Sequence, residues 1–475
     1  MSASRFADRV VIVTGAGSEL GMGRAIALAA AREGAHVVAV DIDGAGATRT
    51  AREAEACGRR ALGLAIDVAN PADVSKMVEA TVSAFGQIDV LVNVAGIARF
   101  EPFFEMGEET WDRVVAINVR GFFLCSRDVA RAMIAAGRGG RIVNINSWSD
   151  LPQRAIEWRK GLSFSVAQRE VYQLTYYVAG RLAQLGGRVH LIGAAHELAA
   201  LGALVGDHTG RTALVTVGAG DAARADDLRD LLGRVQATGA RVIVAGPETD
   251  ARLIAEGTGV AHMAAELTTA AGVAALLAQI GLIDLLVNAA GSHTGGETVT
   301  LADEAWDRAQ DYAVKTYFLT CQELGRRWQG GEKPGTIVNV AWWGDPGCDG
   351  QAASAGRMRQ GGDGGPVYSM TKGAARTLTQ VLALELARHQ ITVNGVGPGA
   401  TVTNVLSHLP PERAALHRAS PDEVPLGRQS TGEDIAGTVL FLASDDAAYI
   451  TGVTINVDGG LSAAAIDRGL SGGLW

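Results

Sequence analysis

Two sets of residues able to do chemistry stand far apart in this chain. Near the N-terminus, Thr14-Gly15-Ala16-Gly17-Ser18-Glu19-Leu20-Gly21-Met22-Gly23 follows an apolar β-branched run and opens an Ala-rich helical stretch. Glycines at such a junction let the backbone close on a pyrophosphate, and a helix N-terminus adds N–H donors and a favourable dipole. Asp41 ends the next apolar run, about 20 residues on, where a carboxylate binds both ribose hydroxyls and repels a 2′-phosphate. Together these residues favour NAD(H) over NADP(H). In the C-terminal half, Tyr368-Ser369-Met370-Thr371-Lys372 sets a phenol and an ammonium four residues apart. On a helix that spacing brings both to one face.

These sets belong to different copies of an internal repeat. Asn93-Val94-Ala95-Gly96 recurs as Asn288-Ala289-Ala290-Gly291, Trp111-Asp112-Arg113 as Trp306-Asp307-Arg308, and Ile142-Val143-Asn144 as Ile337-Val338-Asn339, each offset by 195 residues. Further on, Phe164 falls opposite Tyr368 and His190 opposite Asn394, both at an offset of 204. One loop therefore holds the nine extra residues. Constant long spacing indicates a duplicated domain, because a solenoid repeats every 20 to 50 residues or so. We place the halves at 1–205 and 206–475.

The copies have lost different parts. Phe164 and Gln168 stand in the first copy where the second has Tyr368 and Lys372, and neither offers a proton or a charge. The second copy opens with Val217-Gly218-Ala219-Gly220-Asp221-Ala222-Ala223-Arg224, which lacks the later glycines and brings Asp221 toward a would-be pyrophosphate. Gly246 falls at the register of Asp41.

Strand and helix patterns alternate along each half. Short apolar runs at 10–13, 36–40, 61–66, 90–94, 141–145, 188–192 and 212–217 are separated by helical stretches such as 24–32. That order predicts an α/β protein of two doubly wound, Rossmann-type parallel sheets in tandem, the first short at its C-terminal end. With 475 residues, 48% of them hydrophobic and 20% charged, the chain has ample material for two cores. A net charge of -9, without a Lys/Arg cluster among aromatics, argues against nucleic acid as a partner. Cys57, Cys125, Cys321 and Cys348 show no metal-ligand or redox spacing. The segment MSASRFADR has no apolar signal core and no apolar run reaches about 18 residues, so a soluble cytoplasmic protein without a membrane partner is expected.

At this point both halves resemble the short-chain dehydrogenase/reductase family, over nearly the whole chain. The family's Thr-Gly-x-x-x-Gly-x-Gly turn is matched with two extra residues between Gly15 and Gly21. The resemblance implies cofactor contacts from Gly15, Gly17, Gly21, Gly23, Asp41, Asp67, Val68, Asn93, Ala95 and Gly96, with Asp67 at the adenine. It also implies that Asn118 and Ser147 are the catalytic asparagine and serine, Tyr368 the general acid or base, and Lys372 the cation that lowers its pKa. By register the asparagine and serine positions of the second half are Ala313 and Trp342. The family's lid and last strand lie in the residues after Pro398-Gly399, and the first half has no equivalent stretch. The implied activity is NAD(H)-dependent oxidation of a secondary alcohol or reduction of a ketone, by a homo-oligomer in which the halves form an intrachain pseudo-dimer.

Three arrangements are open on this reading. If the halves exchange equivalent segments, Asn118, Ser147, Tyr368 and Lys372 meet in one composite site and the reciprocal site is dead. The long connections, 17 residues from Ser147 to Phe164 and 26 from Trp342 to Tyr368, leave room for a crossing. If each half keeps its own strands, either a substitute such as His190, Glu157 or Lys160 takes the tyrosine's place or the reaction needs no acid or base. In a third arrangement the fold is reused for a non-redox cyclisation, dehydration or rearrangement, or as a scaffold. Trp148, Trp158, Trp342 and Trp343 either stack on a flat apolar substrate or pack a lid, and the glycine-rich stretch 344–365 reads as a gating loop.

Overall fold

The computed structural model describes residues 5–99, 104–137, 139–145, 188–192, 212–218, 221, 225–237, 239–290, 300–330, 336–340, 380, 383, 387, 391–399, 401–402 and 424–461. Apolar runs such as Val10–Thr14 and Val90–Asn93 become buried strands, and Ala-rich stretches such as Met22–Arg32 become helices. The first part of the chain runs β1 (Val10–Thr14), α1 (Met22–Arg32), β2 (His36–Asp41), α2 (Gly44–Glu55), β3 (Ala61–Ala65), α3 (Pro71–Phe85), β4 (Val90–Asn93), α4 (Glu108–Val115), a π-helical turn (Ala116–Arg120), α5 (Gly121–Ala135) and β5 (Gly140–Ile145). It continues with β6 (Arg188–Ile192), β7 (Thr212–Thr216), α6 (Ala225–Gln236), β8 (Arg241–Gly246), α7 (Glu248–Ala255), β9 (Ala261–Ala264), α8 (Ala270–Ile280) and β10 (Leu285–Asn288). Then come α9 (Asp303–Gln310), a second π-helical turn (Asp311–Lys315), α10 (Thr316–Gln329), β11 (Thr336–Val340), β12 (Ile391–Pro398), α11 (Gly432–Ala443) and β13 (Thr454–Val457).

Among the described residues all strand pairs are parallel, as the alternation predicts. One sheet has the order β13-β12-β5-β4-β1-β2-β3, and the other β6-β11-β10-β7-β8-β9. Sheet membership is therefore not sequential. Strand β12 leaves the second half and pairs with β5, from Ile391 opposite Gly140 to Val396 opposite Ile145. In return β6 pairs with β11, from Arg188 opposite Thr336 to Ile192 opposite Val340. His190 on β6 and Asn394 on β12 are repeat equivalents, so each strand fills the place its twin would occupy. Ala383, just upstream of β12, lies in the same core as Val10, Ile12 and Ile142. The arrangement in which each half keeps its own strands is overturned. So is the role of His190 as a substitute base beside the N-terminal glycine turn, since its strand lies in the other sheet. The first half is short in sequence, yet its sheet has seven strands because β12 and β13 complete it.

The halves also face each other across a near two-fold arrangement that follows the 195-residue offset. Trp111 stacks on Phe318 with ring centroids 4.0 Å apart, and the equivalent Phe123 stacks on Trp306 at 4.2 Å. Trp306 belongs to the core of the first sheet and Trp111 to that of the second. Each half thus buries one indole in its partner's interior. Arg120 binds Asp307 while the equivalent Lys315 binds Asp112 and Glu108. Arg127 donates to the carbonyl of Leu301 (3.2 Å), and its counterpart Gln322 donates to that of Met106 (2.9 Å). Reciprocal contacts of this kind define an isologous interface, here closed within one chain.

Candidate active site

The glycine turn after β1 has the backbone its sequence requires. Gly15 has φ +67°, and a Cβ there would stand 2.9 Å from the Cα of Ala95. A Cβ on Gly23 would overlap the carbonyl of Gly15, so the turn and the first turn of α1 pack backbone to backbone. Gly21 is the N-cap of α1 and, having no side chain, leaves the helix N-terminus to an outside acceptor. The Gly17 N–H donates to Oδ2 of Asp41 (2.8 Å), whose Oδ1 accepts from Asp43 N–H (3.0 Å). Asp41 is thereby fixed at the end of β2, over the turn. Helix α2 holds the same turn from outside: Thr50 Oγ1 donates to the carbonyl of Ala16 (2.6 Å) and Arg49 to that of Gly17 (2.9 Å). A cradle that any Cβ would fill, open on a helix N-terminus beside a carboxylate, fits a dinucleotide.

Its twin after β7 is closed from within. Pairing places Gly246 where Asp41 stands, since Asp41 lies opposite Ala65 and Gly246 opposite the equivalent Ala264. A Cβ at Gly246 would overlap the carbonyl of Val217. The Gly218 N–H instead donates to Oδ2 of Asp221 (2.6 Å), a residue of the turn itself and fully buried. A carboxylate thus sits where the first turn offers room for phosphate. On the second π-helical turn, burial pushes the Asp311 carboxyl up to about 6. Lys315 opposes that shift, while Asp112, Asp307 and Glu266 add to it.

The remaining residues expected at the cofactor converge on the first sheet. Asn93, buried at the end of β4, donates through Nδ2 to Asn144 Oδ1 (2.9 Å) and Ser126 Oγ (3.1 Å). Thr14 Oγ1 accepts from the N–H groups of Val94 (3.0 Å) and Ala95 (3.1 Å), tying the ends of β1 and β4 together. Gly96 is exposed just beyond. Asp67 follows β3 and accepts from Ala69 N–H (3.0 Å), with Arg113 at 3.3 Å, while Val68 packs into the core. Asn70 then caps α3 by accepting from Ala72 N–H (2.9 Å). Asn118 sits fully buried inside the π-helical turn, accepting from Ile97 N–H (2.8 Å) and donating to Ile97 O (2.9 Å). The turn carrying Asn118 is thus latched to the strand end carrying Asn93, Ala95 and Gly96.

Ser147, Tyr368, Lys372, Phe164, Gln168, Trp342, Glu157, Lys160 and the tryptophans at 148, 158 and 343 lie outside the described residues, as does the stretch 344–365. Thr14, Thr50, Asn144 and Arg49 were missed by sequence reasoning. Thr14 had a signal, being part of the quoted turn. The others come from α2 and β5, whose distance to the turn is set only by packing.

A family model described as short chain dehydrogenase matches residues 9–155, and one described as Enoyl-(Acyl carrier protein) reductase matches residues 233–462. The chain is 32% identical over 224 residues to 2-dehydro-3-deoxy-D-gluconate 5-dehydrogenase of Dickeya dadantii, covering 46% of this chain and 82% of that protein. It is 34% identical over 258 residues to L-xylulose reductase of Bos taurus, covering 54% of this chain and 97% of that protein. A crystal structure of a short-chain type dehydrogenase/reductase from Mycobacterium marinum aligns over 97% of both chains, at 19% identity and a TM-score of 0.48. The fold, the two family models and the two relatives define a Rossmann-type oxidoreductase with two such regions. The chain belongs to the short-chain dehydrogenase/reductase family.

Proposed function

We propose that the chain is an NAD(H)-dependent oxidoreductase of secondary alcohols or ketones with one composite site. The observation that carries this reading is the pairing of β12 with β5. In sequence Ser147 follows β5 by two residues and Tyr368 precedes β12, so the β5–β12 pairing supports a site to which both contribute. By the same reading β6, which follows Phe164 and Gln168 in sequence, belongs with the sheet whose glycine turn is closed by Asp221. The exchange of β6 and β12 supports a reading in which the retained catalytic residues share one site.

NAD would accept or return the hydride at the carbinol carbon. In the oxidation direction Tyr368, as phenolate, takes the hydroxyl proton while the hydride leaves the carbon, and Lys372 holds the phenolate by its charge. Ser147 orients the oxygen by a hydrogen bond. Asn118, fixed by two hydrogen bonds to the main chain of Ile97, would hold a proton-relay water from the π-helical turn. Asp41 selects NAD(H) by accepting from the ribose hydroxyls. The same reading makes the protein a cytoplasmic homo-oligomer that associates through a surface other than the helix faces already joined inside the chain. Among the described residues no helix is long and apolar enough to cross a membrane.

Fluorescence titration of NADH into wild type and Asp41→Ala, with turnover of Tyr368→Phe on a panel of secondary alcohols, tests the reading. Expected are NADH binding weakened by the first variant and loss of turnover with intact binding in the second. A wild type that binds no NADH, or a Tyr368→Phe enzyme at full rate, overturns it.

A further inference from the structure

The second half has closed its own nucleotide turn, yet one of its carboxylates reaches the adenine side of the open one through a single side chain. Arg120 ends the π-helical turn, two residues after Asn118. Its Nε and Nη2 donate to the two carboxylate oxygens of Asp307 on α9, at 2.6 and 3.0 Å, and its Nη1 donates to the carbonyl of Ala69 at 3.0 Å. Ala69 N–H in turn donates to Asp67. The next residue, Gly121, lies so near that a Cβ there would stand 2.9 Å from Val68 Cγ2. One planar guanidinium therefore ties together a helix of the second half, the turn of Asn118 and the segment Asp67-Val68-Ala69.

The repeat supplies an internal control. The counterpart of Arg120 is Lys315, whose Nζ meets Asp112 and Glu108 at 2.8 Å each. An ammonium is a point charge and cannot fork onto a carboxylate while a second edge of the same plane serves a carbonyl. The fork stands in the half whose turn is open, and the lysine in the half whose turn is closed. An ion pair needed only to join the halves would be served equally by either residue.

We propose that Arg120 is a positioning residue through which Asp307 of the second half sets the adenine-side segment Asp67–Ala69. The inference rests on the dinucleotide site proposed above and assigns the second half a role in that site beyond lending strands. Its test uses the full chain as wild type, Arg120→Lys and Asp307→Asn, titrated separately with ADP-ribose and with reduced nicotinamide mononucleotide. Loss of one charge-assisted hydrogen bond predicts a roughly tenfold weaker ADP-ribose affinity in each variant. Mononucleotide affinity should stay within about twofold, and the double variant should lose little more than either single one, because both act on one linkage. Lysine already serves at the equivalent position, so Arg120→Lys should fold. Unchanged ADP-ribose affinity in both variants overturns the inference while leaving the cofactor reading intact. Equal loss for both ligands also overturns it, since general loosening would do that. A wild type that binds neither ligand overturns it together with the cofactor reading.

Discussion

Producing residues 1–205 and 206–475 as separate chains perturbs the exchange directly. Alone, the first fragment loses β12 and leaves β5 as an open edge. It loses Ile391, Val393 and Val396, each at most 1% exposed in the whole chain. Burying such side chains contributes about 1.5–3 kcal/mol each, so β12 alone accounts for roughly 5–9 kcal/mol. Ile435, Val439, Leu440 and Leu442 of α11, which pack in the core of Val11, Val13 and Ile26, are lost as well. Since a domain's net stability is about 5–15 kcal/mol, the first fragment should have no stable fold. It should show no cooperative thermal transition by circular dichroism and no NADH binding by fluorescence. Co-expressed, the fragments should elute together on size exclusion and bind NADH as the intact chain does, because separation must open both sheets. A 1–205 fragment that melts cooperatively and binds NADH with the affinity of the whole protein would refute the reasoning.

Calorimetric titration should give one NADH per chain, since Asp221 occupies the second turn; a stoichiometry of two would contradict the closure. Replacing Trp306 by Ala removes a fully buried indole stacked on Phe123 and should cost about 3–5 kcal/mol, read by urea denaturation. A loss below about 1 kcal/mol would mean the halves are not joined through these rings. Asp311 provides a pH test. Its folded-state pKa, about 6, lies above the ordinary 3.8, so the stability its protonated form contributes is complete below that value and is lost as pH rises through 6. Asp311→Asn should remove this slope and stabilise the protein by about 1–2 kcal/mol at neutral pH, after allowance for partial exposure. Wild type and variant melting with the same pH profile from 4 to 8 would exclude the effect.

Much of the site's chemistry was legible in residue types. Gly15, Gly23 and Asp41 declare themselves because a positive φ, a backbone contact and a carboxylate at a strand end each demand a particular residue. Their geometry matches that demand. The losses in the second turn were legible too, although the acceptor role of Asp221 appears only once its carboxylate is seen on Gly218 N–H. Arg49, Thr50 and Arg120 carried no such mark. Arginine and threonine on a helix are ordinary surface residues until packing shows which carbonyl they reach.

Register alone established the duplication, the strand and helix order and which motif residues each copy retains, because periodicity and glycine chemistry are local properties of a chain. It could not say which sheet receives β6 and β12. Parallel strands buried on both faces look alike in sequence, and Val393 or Val189 would suit either edge equally well. That choice depends on connections and on which core has room, and tertiary structure made it by crossing the strands.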